Sequence, residues 1–103
     1  MMHTADELQV NQDLAWERAA HVMEFPNGDG TALHDMDADE YFQLPGPVAV
    51  FVWNHCDGLS TTKSLLQAVL HEFDVDEDTA QRDLIEFLHE LNGRRLLTST
   101  KRP

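Results

Sequence analysis

One cysteine, Cys56, is all the sequence holds, so no internal disulfide can form and the fold rests on its apolar core. Basic residues are scarce too. Of 103 residues seven are Lys or Arg against nineteen Asp or Glu, a formal net charge of −12. Four of the seven, Arg94, Arg95, Lys101 and Arg102, fall in the last ten positions, and every acid precedes them. A body with this charge repels phosphate backbones and anionic headgroups, which argues against nucleic acid and membrane as partners and permits a cationic one. Long apolar runs are absent: the longest, Pro47 to Trp53, is far short of the roughly 20 residues that span a bilayer. The first residues, Met1-Met2-His3-Thr4-Ala5-Asp6-Glu7, lack the basic and apolar regions of a secretory signal, which with the unpaired cysteine points to the cytoplasm. What is present, 42% apolar and 25% charged residues, is ordinary for a single globular domain.

The chain divides into a polar, acidic leader over 1–10, expected to be flexible, a folded body over 11–97 and a tail over 98–103 expected to fray. Residues 13–20 are rich in helix formers but adjoin Val22, Met23, Phe25 and Pro26, which read as extended, so 13–20 stays unassigned and a strand is predicted at 21–25. Asn27-Gly28-Asp29-Gly30 is a hairpin turn signal, and a second strand follows at 31–36. After the turn Asp37-Ala38-Asp39, the run Glu40-Tyr41-Phe42-Gln43-Leu44 alternates, with Phe42 and Leu44 on one face and Tyr41 and Gln43 on the other.

Three helices are predicted next. Pro47 suits the first turn of one that runs through Val52 and Cys56 and ends at Asp57-Gly58. Ser60 or Thr61 can cap a second, with Leu65, Leu66, Val69, Leu70 and Phe73 as its apolar stripe. Asp76 caps a third, with Glu77 and Asp78 in its first turn, Ala80, Leu84, Phe87, Leu88 and Leu91 on one face, and Asn92-Gly93 as its stop. Leu96 and Leu97 then pack back as a short extended segment. Strands followed by helices predict an α+β domain with a small antiparallel sheet beside a helical cluster.

Candidate chemistry is thin. Asp35, Asp37 and Asp39 space like the start of an EF-hand, but Glu40 stands where that loop needs glycine and Gly46 where it needs glutamate, so they read as a solvated turn. The six histidines show no ligand spacing, and no metal or cofactor is expected. His55-Cys56-Asp57 are neighbours on a predicted helix and point about 100° apart, so they cannot form a nucleophile and base. No glycine-rich phosphate loop and no G-x-S-x-G elbow occurs, and no enzyme is specified.

Two features are left over by the core. Glu40 to Leu44 is the last strand before the helices, hence a sheet edge with unpaired backbone groups. Ile85 lies off the main stripe and shares a helix flank with Gln81, Leu88 and His89. An edge strand beside such a flank can take an extended peptide as an added strand.

The run Asp35 to Leu44 with its Tyr-Phe-x-Leu strand, the helix end Trp53-Asn54-His55-Cys56-Asp57-Gly58, the capped second helix, then Phe73-Asp74-Val75-Asp76, Asp83 to Leu88 and Arg94-Arg95-Leu96-Leu97 together resemble the PqqD family. These are the pyrroloquinoline quinone biosynthesis protein D-like proteins, or RiPP recognition elements. The resemblance implies a winged helix-turn-helix-like fold of three antiparallel strands followed by three helices. It also implies a noncatalytic peptide chaperone without cofactor. Such a protein binds the leader of a ribosomally made precursor as an added strand and presents it to a modifying enzyme, typically a radical S-adenosylmethionine protein. The site so implied is Tyr41, Phe42, Gln43 and Leu44 on the third strand and Gln81, Ile85, Leu88 and His89 on the third helix. The alternative is a helix-turn-helix-derived DNA-binding or structural module. DNA binding is opposed by Glu77, Asp78, Asp83, Glu86 and Glu90 against Arg82 alone on the helix that would enter the groove.

Overall fold

The computed structural model describes residues 13–101, so the segment 1–10 expected to be flexible lies outside the described residues. Six strands and three helices follow in the order β1 (Leu14–Arg18), β2 (Val22–Asn27), β3 (Gly30–Asp35), β4 (Glu40–Gln43), α1 (Pro47–Asn54), β5 (Asp57–Thr61), α2 (Thr62–Glu72), α3 (Glu77–Gly93) and β6 (Leu97–Lys101). They form two antiparallel three-stranded sheets, β2-β3-β4 and β5-β1-β6.

The first sheet is the predicted one. Its β2–β3 hairpin closes through Gly28 and Asp29, and Gly28 takes the positive φ of 65° that a two-residue hairpin loop needs. The next turn is built by Asp35, whose Oδ1 accepts the N–H groups of Asp37 (3.0 Å) and Ala38 (3.1 Å). The EF-hand-like spacing is thus an Asx turn, with the carboxylate satisfying backbone donors.

The second sheet was not predicted. β1 lies where 13–20 had no assignment, and its partners are distant in sequence: Ala15 faces Thr61, and Trp16 faces Ser99. Local propensity favours a helix for Leu14-Ala15-Trp16-Glu17-Arg18, and pairing on both sides overrides it. Asp57 to Thr61, read as a helix stop and a cap, is β5. Helix α1 ends two residues early, at Asn54, and Gly58 holds a φ of 88° inside the strand. The tail expected to fray from residue 98 instead continues as β6 to Lys101 along β1, because β1 offers a full ladder there.

The signals that start the helices hold, whereas the stops shift, from Asp57-Gly58 to Asn54 in α1 and from Asn92-Gly93 to Arg94-Arg95 in α3. Pro47 opens α1. Thr61 caps α2 in a reciprocal box with Ser64, and Asp76 Oδ2 caps α3 by accepting from Thr79 N–H (3.0 Å). At its other end α3 closes in a Schellman arrangement, with Leu96 N–H on the Leu91 carbonyl (2.8 Å) and Arg95 N–H on that of Asn92 (3.0 Å). Arg95 supplies the left-handed residue (φ 65°), where glycine is usual.

The core gathers Trp16, Leu33, Leu44, Trp53, Leu65, Leu88, Leu91 and Leu97, all nearly or fully inaccessible. Both buried indoles are partnered: Trp16 Nε1 donates to Thr62 Oγ1 (2.8 Å) and Trp53 Nε1 to Glu24 Oε2 (3.0 Å). Arg18 Nη1 donates to the carbonyls of Trp53 (3.2 Å) and Asn54 (3.0 Å), covering the open C-terminus of α1 and tying β1 to that helix.

Candidate functional site

Among the described residues strand β4 pairs with β3 alone and is an edge of its sheet. Leu44 N–H donates to the Thr31 carbonyl (3.0 Å), which fixes the phase of the ladder. In an antiparallel pair bonded and non-bonded positions alternate. Phe42, opposite Leu33, therefore bonds inward to β3, while the N–H and C=O of Tyr41 and Gln43 point out from the edge. The side chains obey the predicted alternation on the perpendicular axis: Leu44 is buried and Phe42 half-buried on the core side, and Tyr41 and Gln43 are exposed. The Gln43 side chain is held by Asn27, whose Nδ2 donates to its Oε1 (2.6 Å).

The wall beside this edge comes from the end of α3. The Arg94 guanidinium lies 4.8 Å above the centre of the Phe42 ring, and its Nη2 reaches Glu90 Oε2 at 3.2 Å. Asp35, Glu40, Tyr41, Phe42, Arg94 and Leu96 line a shallow groove there. Beyond the end of β4, Pro45, Val48 and Val52 face Ala80, Asp83, Leu84 and Phe87 of α3 across an apolar cavity of about 320 Å³, with Val69 and Val75 completing it.

At about 100° per residue, Ala80, Asp83, Phe87, Glu90 and Arg94 form one stripe of α3. Leu88 is fully buried, about 100° round the helix from Phe87. Gln81, Ile85 and His89 lie roughly 120–160° round the helix from Phe87. The structure therefore brings Tyr41 and Phe42 together with Arg94, and places Phe87 in the neighbouring cavity with Pro45, just past Gln43 and Leu44. Residues 81, 85 and 89 occupy another flank. Asp83, Phe87 and Arg94 are the residues that sequence reasoning did not assign, although their i, i+4, i+11 spacing marks a stripe.

Chemistry elsewhere is quiet. Cys56 is buried and its Sγ contacts the Val52 carbonyl at 3.2 Å. Desolvation pushes its thiol up to about 12 against the smaller downward pull of Arg18. Asp57 lies below its ordinary carboxylate value because its Oδ1 accepts the N–H groups of Leu59 and Ser60, each at 2.9 Å. Neither the thiol nor the carboxylate is poised for nucleophilic or acid-base work. Among the described residues no group of three His, Cys, Asp or Glu side chains is placed to hold a metal ion, and no helix is long and apolar enough to cross a membrane.

The sequence model for coenzyme PQQ synthesis protein D (PqqD) matches residues 30–97, from the start of β3 to that of β6. The chain belongs to the PqqD family. Among curated proteins none matches. Two solved structures share the fold of this PqqD-family chain. TbiB1 in complex with the TbiA(beta) leader peptide is 26% identical, with a TM-score of 0.69 over 79% of this chain and 93% of that one. A lasso peptide synthetase B1 complexed with the leader peptide is 17% identical, with a TM-score of 0.70 over 82% and 98%. Both comparisons cover more of the chain than the family match does.

Proposed function

We propose that this chain binds the leader segment of a ribosomally made precursor peptide as a strand added to β4, with no catalysis of its own, and holds it for a modifying enzyme in the cytoplasm. The observation that carries the reading is the outward N–H and C=O pair on each of Tyr41 and Gln43, beside the groove lined by Phe42 and Arg94 and the cavity lined by Phe87. Main-chain groups of that kind supply affinity for any extended segment, and the cavity at the end of the strand selects an apolar side chain two or so residues along. That solved structures similar to this chain carry a leader peptide supports the same ligand class. The family resemblance names a radical S-adenosylmethionine protein as the enzyme. A DNA-reading role is disfavoured by the sign of α3, where Glu77, Asp78, Asp83, Glu86 and Glu90 outnumber Arg82.

Calorimetric titration with the precursor encoded beside the gene tests the proposal. Saturable one-to-one binding is expected from the leader half of that peptide, and none from its other half. Absence of binding by the leader of every precursor encoded nearby overturns it.

A further inference from the structure

The outer face of the β2-β3-β4 sheet has the wrong composition for a surface that meets only water. An antiparallel sheet with one face on the core normally turns polar side chains outward. Here Met23 (55% exposed), Phe25 (37%) and Tyr41 (65%) share the outer face with His34. The rings are arranged rather than scattered. Tyr41 stacks on His34 at 4.4 Å with 5° between planes, and Phe25 meets Tyr41 edge to face at 6.1 Å. His34 Nε2 lies 2.9 Å from Asp39 Oδ1, which holds the imidazole in place. A cluster of Met and aromatic side chains, already ordered, is the composition of a protein-docking surface, and ordering it in advance removes part of the entropy cost of association.

Charge identifies the occupant. Asp29 stands in the β2–β3 turn at one end of this face and Asp37 and Asp39 in the β3–β4 turn at the other, and residues 22–43 hold not one Lys or Arg. A second copy of the chain would bring like charges together, and an anionic bilayer or nucleic acid would be repelled likewise. A protein surface with an apolar centre and a Lys/Arg rim fits both features. The patch is also continuous with the β4 edge: a peptide strand added beside Tyr41 would extend the same sheet, and its alternate side chains would enlarge the outer face.

We propose that this face, centred on Phe25 and Tyr41, docks the enzyme that acts on the bound peptide, through an apolar surface rimmed by Lys and Arg on that enzyme. The proposal rests on the peptide-binding reading for the identity of its partner, and the surface itself does not.

Biolayer interferometry on the full chain, using the peptide-modifying enzyme and the precursor encoded beside the gene, tests it. Phe25→Ser should weaken enzyme binding at least tenfold and leave leader-peptide affinity within about threefold. Asp29→Lys with Asp37→Lys, which leaves the apolar cluster intact, should do the same, and it carries the test if Phe25→Ser lowers the melting temperature substantially. Unchanged enzyme affinity in the charge-reversed variant overturns the proposal, as does failure of the wild-type chain, with leader peptide present, to bind that enzyme. Concentration-dependent self-association abolished by Phe25→Ser would assign the face to a second copy and also overturn it. Enzyme binding that both variants weaken, in a chain that binds no leader, supports the docking face and removes the peptide reading alone.

Discussion

Replacing Gln43 by proline separates the edge of β4 from its fold. Gln43 occupies a position whose N–H points away from β3, so proline deletes a donor that the ladder with β3 does not use. Proline is tolerated on edge strands for this reason, and it biases Phe42 towards the extended conformation it already has. Folding should lose little beyond the exposed bond from Asn27 to the Gln43 side chain, about 0.5–1.5 kcal/mol. Binding should lose more. One main-chain bond to the peptide disappears, and a peptide carbonyl is left buried without a donor, a penalty of about 1–3 kcal/mol. With tenfold in affinity for each 1.4 kcal/mol, the expected loss is roughly 10- to 100-fold. Gln43→Ala, which loses the same side-chain bond and keeps the N–H, should bind within about threefold of wild type. Titration calorimetry with the leader segment reads both variants, and thermal unfolding monitors the fold. Equal binding by Gln43→Pro and wild type, with equal melting temperatures, refutes pairing at this edge; equal losses in both variants would assign the effect to the side chain.

Four truncations decide which flank of α3 lies beside a peptide bound at β4. Phe87→Ala should weaken leader binding about tenfold through loss of partly desolvated aromatic area, while Ile85→Ala, Gln81→Ala and His89→Ala should each stay within about threefold; the reverse ranking would place the peptide on the flank of Ile85. The Cys56 thiol, raised to about 12 in the fold from an ordinary 9.0, should resist thiol reagents at pH 8 until denaturant is added. Because the folded value is the higher one, its contribution to stability is complete below pH 9 and is lost as pH rises from there towards 12, so urea unfolding should show a falling midpoint in that window and none from this group below it. Arg95→Gly should stabilise the chain, since a left-handed L-residue costs about 1–2 kcal/mol and the added backbone entropy of glycine returns about 0.5–1; a higher urea midpoint at unchanged slope is the expected result, and a lower one contradicts the strain assigned to this residue.

Sequence legibility followed the range of the interactions involved. The caps at Thr61 and Asp76, Pro47 at the start of α1, the Asn27-Gly28-Asp29-Gly30 turn and the alternation of β4 are all decided within a few residues, and all appear as read. β1 and β6 are decided across the chain. Leu14 to Arg18 has helical composition, and Thr98 to Lys101 is exposed along its length, so neither carries an apolar period of its own; each is a strand because the other is beside it. The site divides the same way. The edge residues Tyr41, Phe42, Gln43 and Leu44 were visible because their alternation is local. The wall was not: which face of α3 turns to β4 depends on how helix and sheet pack, and a stripe built on Ile85 and one built on Phe87 are equally periodic. Arg94, read as part of a basic terminal pair, is held over Phe42 by the Schellman turn that ends α3.

The pairing of Leu14 with Lys101 gives the domain a modular geometry. Facing residues on adjacent strands lie about 4.5–5.5 Å apart, so the chain enters and leaves at nearly one point. That point is in the β5-β1-β6 sheet, whereas the β4 edge belongs to the other sheet. A domain so arranged can be spliced as a cassette into a loop of a larger enzyme, or permuted by joining residue 101 to residue 14 through a few glycines, with its β4 edge still free. Covalent fusion to another protein is thus a geometric option as accessible to this fold as free association.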